Sequence, residues 1–447
     1  MSARRFGTQS LVRLLGNWQE TSSRTPLWRQ LAEALRLLIL DGRLTLQTRL
    51  PGERELAAAL NVSRTTIASA LGQLREEGFL YSRQGSGSRI VLPERPADLP
   101  LPAGISSTLN LSTAALSAGP EVHQAFQHAM TLLPPYLAQT GYDQQGLPVL
   151  REAIARRYSE RGLPTRPDEV MVVNGALSAI QGASCRPVGV ALPQQGWDCD
   201  GLAATIAQTA PRLAWLMPDF HNPTGRCMDA PTRQRVADIA ARTRTTLVID
   251  ETMADLWYNA PPPPPLASFN PDAAVLTIGS AGKSFWGGLR IGWIRASART
   301  IASLIQARDS LDLGTPLLEQ LACSWLLENA ATLLPSRRDM LKARRDMCET
   351  LMAEYFPRWR FSPPEGGLSF WVELPDMLAT LFSARAESQG IHIGTGTRFG
   401  LEGAFDRYLR LPFTLPDEAL RRAFSTLQPL WQSLAEQKEN TRMRKII

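Results

Sequence analysis

From Leu147 onward the chain alternates in type, and that alternation limits its fold more than any other feature. LPVLREAIARRYSERG carries apolar residues at helical spacing, and EVMVVNGA is a short apolar run ending in small residues. RLAWLMPDF is a second run, TRQRVADIAARTR a second helix, and TLVIDE and AAVLTIGS are two further runs. Strand-length apolar runs separated by amphipathic helices predict a parallel sheet with helices on both faces. Ligands of such sheets collect at the carboxyl ends of the strands. The polar residues fall there. Asn174-Gly175-Ala176 ends the first run, His221-Asn222-Pro223 the second, Asp250 the third, and Ser280 with Lys283 the fourth. A backbone-rich turn, an amide, a carboxylate and an amine are expected at one crevice.

Composition singles out the amine. The chain has forty-four arginines but only four lysines, Lys283, Lys342, Lys438 and Lys445. Lys283 lies among small residues in GSAGKSFWGGLRIGW. A lysine in a crevice loses its proton readily and can condense with an aldehyde, which a guanidinium cannot. A carboxylate facing a pyridine nitrogen keeps that ring protonated and electron-withdrawing. A glycine-bordered turn at a helix N-terminus suits a phosphate. Plainer roles exist for the neighbours: Asn222 as a turn former, Asp250 as a helix cap, Arg410 as one surface arginine among many. Lys283 is the residue those roles explain least.

The first ninety residues have a different character. TPLWRQLAEALRLLILDGRL spaces Leu27, Leu31, Ala34, Leu35 and Leu38 as a helix, which Gly42 ends. A short helix, Glu53 to Leu60, then leads through Asn61-Val62-Ser63 into a second one, about Arg64 to Glu77, with Ser63 as its N-cap. Ile67, Ala70, Leu71 and Leu74 form its apolar face, leaving Arg64, Thr65, Thr66 and Ser69 exposed. FLYSRQGSGSRIVL alternates like a hairpin with Gly85-Ser86-Gly87 at its tip. Two helices, a tight turn and a hairpin predict a winged helix-turn-helix, whose second helix offers N-terminal side chains to base edges in a major groove. Arg54, Arg83 and Arg89 suit phosphate contacts. A small bundle whose arginines merely solvate one face is the blander alternative. It leaves the charge unexplained: residues 1–92 hold thirteen arginines, no lysine and seven acids, which is the whole net charge of +6. A basic end on a neutral body points to a polyanion, here double-stranded DNA.

The 447 residues are too many for one ordinary domain. We expect a DNA-binding domain over 1–92, a proline-rich linker over 93–107, and a domain over 108–447 with a large part to about 335 and a small one over about 336–436. No apolar stretch approaches the roughly 18 residues a membrane helix needs. The N-terminus lacks the apolar core and cleavage site of a secretory signal. Five scattered cysteines show no metal spacing, and a reducing cytoplasm suits them.

LPGERELAAALNVSRTTI and SRQGSGSRI resemble the DNA-binding domain of the GntR family of bacterial regulators. PDFHNPTG, VIDE, SAGKSFWGGLRIG and YLRLPF, in this order, resemble a fold-type I aminotransferase over residues from about 110 to 435. Together they resemble the MocR family of pyridoxal-phosphate-dependent transcriptional regulators. The resemblance implies an N-terminal winged helix-turn-helix and an α/β large domain with a small α+β C-terminal subdomain. It makes Lys283 the lysine that joins pyridoxal 5'-phosphate as a Schiff base. Asp250 would pair with the pyridine nitrogen and Asn222 with the phenolic oxygen. Gly175, Ala176, Leu177, Ser280 and Arg290 would hold the phosphate, Tyr142 would reach it, across a dimer boundary, and Arg410 would clamp a ligand carboxylate in bidentate fashion.

Two departures stand out. NGALSAIQ runs directly into GASCRPVGVALPQQGWDCDGL, where family members insert a helix, a strand and a loop carrying an aromatic residue that stacks on the cofactor. Trp197 does not match that position, and Thr252 stands where a tyrosine often assists the ring oxygen. A stacking aromatic contributes about 0.5–1.5 kcal/mol beyond its area. Three functions follow: a homodimeric regulator sensing pyridoxal phosphate or an amino compound, an aminotransferase carrying a DNA module, or a regulator using its second domain as a dimerisation scaffold. An amino acid that shifts the cofactor spectrum without yielding keto acid separates the first two. Absence of a bound chromophore marks the third.

Overall fold

The apolar spacing after Pro26 folds as read. In the computed structural model, residues 6–16, 18–19, 26–40, 44, 48–83, 87–91, 108–175, 187–193, 196–308, 310–400 and 404–443 are described. The chain divides into two compact units, Met1–Ile105 and Ser106–Ile447. The first opens with α1 (Thr8–Leu15), a helix the sequence reading did not anticipate, which buries Leu11 and Leu15. It continues with α2 (Leu27–Leu40), α3 (Glu53–Leu60) and α4 (Arg64–Glu76). Asn61, in the left-handed region at φ 52°, ends α3, and Ser63 Oγ accepts from Thr66 N at 3.0 Å to cap α4. Ile67, Ala70, Leu71 and Leu74 are buried beneath that helix. Arg36 of α2 holds Glu77 with two hydrogen bonds of 2.8 and 2.7 Å, fixing the C-terminal end of α4.

The hairpin is β1 (Leu80–Arg83) and β2 (Gly87–Ile90), antiparallel. Residues 48–50 lie along β2 through an isolated bridge. Leu50 N donates to Ser88 O (2.9 Å) and Ile90 N to Thr48 O (3.0 Å), with Arg49 opposite Arg89. Gly85 and Ser86 at the wing tip and the expected linker lie outside the described residues, and of Arg83 the backbone alone is described.

The second unit holds two sheets. The larger runs in the order β4-β8-β7-β6-β5. Its strands are β4 (Val170–Val173), β5 (Leu213–Leu216), β6 (Thr246–Asp250), β7 (Val275–Ser280) and β8 (Gly292–Arg295). β5, β6 and β7 are parallel, but β8 is antiparallel to both its neighbours, so the sheet is mixed rather than parallel throughout. The reason is the connection. Residues 281–291 are too few for a crossover helix, so the chain turns back beside β7. Among the described residues β5 pairs with β6 alone, and its first residue, Leu213, is 38% exposed. Helices α5 (Pro120–Leu132), α6 (Pro148–Glu160), α7 (Cys199–Thr209), α8 (Ala230–Thr243), α10 (Ala298–Arg308) and α11 (Leu317–Glu328) flank this sheet. The single turn α9 (Ala281–Ser284) follows β7.

The smaller sheet has the order β3-β11-β12-β10-β9. β9 (Arg360–Phe361), β10 (Ser369–Glu373), β11 (Ile391–Thr395) and β12 (Tyr408–Pro412) come from the C-terminal part. The sheet also takes β3 (Leu109–Leu111), which runs parallel to β11. Helices α12 (Ala330–Tyr355), α13 (Ala379–Ser388) and α14 (Asp417–Met443) pack with it.

One ion pair is wholly interior. Arg233 of α8 donates to Asp219 Oδ1 at 2.5 Å, to Met228 O at 2.9 Å and to Pro264 O at 3.1 Å, and neither charged residue is exposed. Removing Arg233 leaves Asp219 with only the more distant Arg161, 3.7 Å away, at a cost of up to about 3–5 kcal/mol. Arg233→Ala is expected to destabilise the second unit by that amount. Urea unfolding followed by tryptophan fluorescence measures it, and a loss below about 1 kcal/mol would mean that Asp219 finds another partner.

Candidate functional site

β6 and β7 are neighbours with Asp250 opposite Ile278, so the residues following both strands emerge at one edge. Asp250 is buried, and its Oδ1 accepts from Thr252 N at 3.0 Å, which aims the carboxylate. Ser280 Oγ accepts from Gly282 N (3.0 Å) and donates to Ile291 O (3.3 Å), so it caps α9. Lys283 follows within that turn and donates through Nζ to Ala114 O at 2.7 Å. Ala114 lies just beyond β3, so the lysine of the large sheet meets backbone leading from the small one.

Arg410 of β12 enters from the other side. Its Nη1 donates to Asn222 Oδ1 at 3.2 Å, its Nη2 donates to Ser112 O, and its guanidinium lies 4.8 Å from the Phe399 ring centre. Arg410 Nε is buried without a hydrogen-bond partner. Burial, then Arg410, holds the Lys283 amine below its usual range, with Asp250 opposing. Burial pushes the Asp250 carboxyl above its usual range against the hydrogen bonds to Thr252 and the pull of Lys283. Each charged form is disfavoured by lost hydration and favoured by the other.

A second cluster sits at the end of β4. Gly175 has φ 92°, which excludes most side chains, and a Cβ there would stand 3.0 Å from Arg290 Nη2. Arg290, itself at φ 52°, donates from Nη2 to Asn174 O at 3.2 Å. Asn174 Nδ2 donates to Asp312 Oδ2 (3.1 Å) and Gly314 O (3.3 Å), anchoring the turn. Arg290 is exposed and has no carboxylate partner among the described residues. A guanidinium without a countercharge, over a side-chain-less turn, is suited to an anion.

The structure therefore sets Lys283 within electrostatic reach of Asp250 and Arg410, and Arg410 holds Asn222, while Gly175 and Arg290 are paired at a strand end of the same sheet. Tyr142 is 67% exposed and is not drawn into either cluster. Ala176 and Leu177 lie outside the described residues. In the first unit, Arg54, Ser63, Arg64, Thr65 and Ser69 are exposed, Thr66 and Arg89 are half-buried, and Gly87 is exposed at φ 73°. Sequence reasoning missed the backbone oxygens of Ser112 and Ala114, because no side-chain pattern marks an acceptor on the main chain. Trp197, which the sequence places off the stacking position, meets His221 edge-on with centroids 5.7 Å apart. His221 Nδ1 is 2.9 Å from Thr224 Oγ1.

The fold and the site define a winged helix-turn-helix joined to an aminotransferase fold of the pyridoxal-phosphate type. The family model described as "Aminotransferase class I and II" matches residues 184–427, more than half of the chain, and the chain belongs to that family. The model described as "Bacterial regulatory proteins, gntR family" matches residues 27–90. The uncharacterized HTH-type transcriptional regulator YisV of Bacillus subtilis is 26% identical over 419 residues, covering 80% of this chain and 86% of that protein. The HTH-type transcriptional regulator NorG of Staphylococcus aureus is 23% identical over 425 residues, covering 82% and 95%. The crystal structure of LysN, an alpha-aminoadipate aminotransferase of Thermus thermophilus complexed with N-(5'-phosphopyridoxyl)-L-leucine, shares the fold. It has a TM-score of 0.67 and 23% identity, over 74% of this chain and 93% of that one. The fused architecture agrees with the MocR-type resemblance.

Burial, with Arg226 adding to it, pushes the His221 imidazole down to about 4. The unfolded chain therefore binds this proton more tightly than the folded one. Stability is expected to fall as pH drops from about 6.5 toward 4, and His221→Gln is expected to remove that part of the slope. Urea midpoints at pH 5 and pH 7 test it. An unchanged slope would mean that His221 is hydrated enough to titrate normally.

Proposed function

We propose that the protein is a DNA-binding transcriptional regulator whose aminotransferase-like domain senses pyridoxal phosphate, an amino compound that joins it, or both. The observation that carries this reading is the half-buried Lys283 set close to Asp250 and to Arg410, which holds Asn222, in a chain that also presents Arg64, Thr65 and Ser69 on a capped recognition helix.

The donor set fits the cofactor. Lys283 would bind its aldehyde carbon, Asp250 would hold the ring nitrogen protonated, and Asn222 would meet the phenolic oxygen. Gly175, Ser280 and Arg290, with the backbone at Ala176 and Leu177, would hold the phosphate. Bound there, the cofactor supplies an electron-withdrawing ring and an aldehyde that accepts amines. The chain's own groups do the remainder. The half-buried lysine gives up its proton more easily than a solvated one, Asp250 keeps a negative charge facing the ring, and Arg410 receives the carboxylate of an incoming amino compound. Regulation requires only that such a ligand prefer one arrangement of the protein over another.

A homodimer fits the same reading. Tyr142, Leu311 and Leu313 are exposed apolar residues near the Asn174 turn, where Asp312 is tied to Asn174 and Gly314 lies against Asp143. Covering them with a second copy would carry Tyr142 toward the neighbour's phosphate end. Helix-turn-helix proteins bind paired half-sites as dimers. Among the described residues no helix is long and apolar enough to cross a membrane, and we place the protein in the cytoplasm.

The visible absorption spectrum, with and without added pyridoxal phosphate, tests the cofactor assignment. The band of lysine-bound cofactor is expected in the parent and absent in Lys283→Ala. Equal bands in both would remove Lys283 from its role, and no band in either would favour the scaffold reading.

Arg64→Ala tests the DNA assignment. It is expected to weaken binding by about 1–3 kcal/mol to a fragment selected from random DNA by the parent protein. The absorption band should be unaffected. Unchanged affinity would displace α4 from the role of recognition helix.

A further inference from the structure

A second polar group lies behind the Lys283 turn. Asp255 belongs to the turn that follows β6, and its carboxylate faces two elements at once. Oδ2 accepts from Ser284 Oγ at 2.9 Å, and Oδ1 accepts from Arg157 Nη2 of α6 at 2.6 Å. The Asp255 carbonyl oxygen accepts from Arg338 Nε of α12 at 2.7 Å, and the Arg338 guanidinium lies 4.0 Å from the centre of the Trp257 ring. Ser284 is 1% exposed, so its hydroxyl has no water to turn to.

Ser284 is the residue after Lys283 and the last of α9. A helix of one turn does not sustain itself, because nucleation fixes several dihedrals for one hydrogen bond. α9 is held at its start by Ser280 Oγ on Gly282 N and at its end by Asp255 on Ser284. Lys283 lies between the two fastenings and reaches Ala114 O from there. We propose that Asp255 is the positioning residue for Lys283: held by Arg157, it fixes Ser284 and with it the turn from which the amine enters the cleft. The inference deepens the Lys283 assignment and rests on it for its importance, but the tether can be tested without the cofactor.

Loosening α9 would let the amine leave its buried site for water. Burial is the first cause of its lowered basicity, so the change must be upward, toward ordinary lysine behaviour. The chain has only four lysines, so reductive methylation with formaldehyde and cyanoborohydride, read by mass spectrometry across pH, follows Lys283 separately, with Lys342 as internal reference. The full-length protein is used without cofactor.

Asp255→Ala and Ser284→Ala are each expected to raise the pH midpoint of Lys283 labelling by about half to one unit, a roughly three- to tenfold loss of neutral amine at fixed pH. The double variant is expected to move it no further than the larger single change, because both remove one contact. Asp255→Asn keeps an acceptor for Ser284 but loses the charge facing Arg157, and should fall between.

Ser284→Ala deletes a single hydroxyl and keeps the test available should Asp255→Ala fail to fold. A Lys283 midpoint equal to the parent's in Ser284→Ala would overturn the proposal and leave Asp255 a merely structural carboxylate. Additive shifts in the double variant would overturn it as well. Titration of the same variants with pyridoxal phosphate is read beside these results. A parent that shows no band defeats the cofactor reading, while the labelling still decides the role of Asp255.

Discussion

A parallel pair of strands delivers both of its ends to the same edge, and the pairing of β6 with β7 is the constraint on which this site depends. Asp250 arrives as the last residue of one strand, and Lys283 arrives one helical turn beyond the end of the other. The antiparallel return of β8 completes the arrangement. Because residues 281–291 must reverse direction at that edge, they place Arg290 next to the Asn174–Gly175 turn, whose own strand pairs with β8. Three strand contacts therefore gather an amine, a carboxylate, a guanidinium and an open glycine turn, none of them adjacent in sequence.

The same strand geometry explains why a glutamate follows Asp250. Successive residues leaving a strand point to opposite faces. Asp250 faces Lys283, whereas Glu251 turns into the protein, where Arg161 donates to it at 2.9 Å. Arg161 also lies 3.7 Å from Asp219, which Arg233 holds from the far side. Burial pushes the Glu251 carboxyl up to about 7 against the pull of Arg161. Isolated charges in such an interior are too costly to persist, so they occur as a connected group. That group backs the strand ends with side chains that cannot shift independently.

Much of this was legible in the sequence, and what escaped it has a common cause. The recognition helix, its Ser63 cap and its four buried apolar residues follow from local periodicity and from a hydroxyl placed before a helix. Lys283, Asp250 and Asn222 could be singled out because strand ends in α/β sheets are where polar residues have a use. The direction of β8 could not be read from its own residues, since it depends on the length of the connection before it. The bridge that residues 48–50 make to the wing has no alternation long enough to announce it. Ala114 and Ser112 act through carbonyl oxygens that every residue possesses. Asp255 lies only five residues beyond Asp250, but its partners Arg157, Ser284 and Arg338 come from three separate stretches of chain. Long-range electrostatics of that kind has no one-dimensional signature.

On the proposed reading, Arg410 would let the site report a ligand without turning it over. It belongs to the small sheet, yet its donors go to Asn222 at a strand end of the large one and to Ser112 beside β3. Its buried Nε is unpaired, and burial, helped by Arg398, already disfavours its charge. A carboxylate offered to that guanidinium would supply both the missing partner and the missing countercharge. The gain is largest where the existing group is least satisfied. Reaching Nε side-on it would also meet Nη2 and compete there with the Ser112 carbonyl, so that backbone contact and the bond to a ligand are linked. Catalytic turnover asks a site to release what it has bound. Sensing asks only that the bound and free states differ in these contacts, and the contacts at Arg410 are of a kind that must differ.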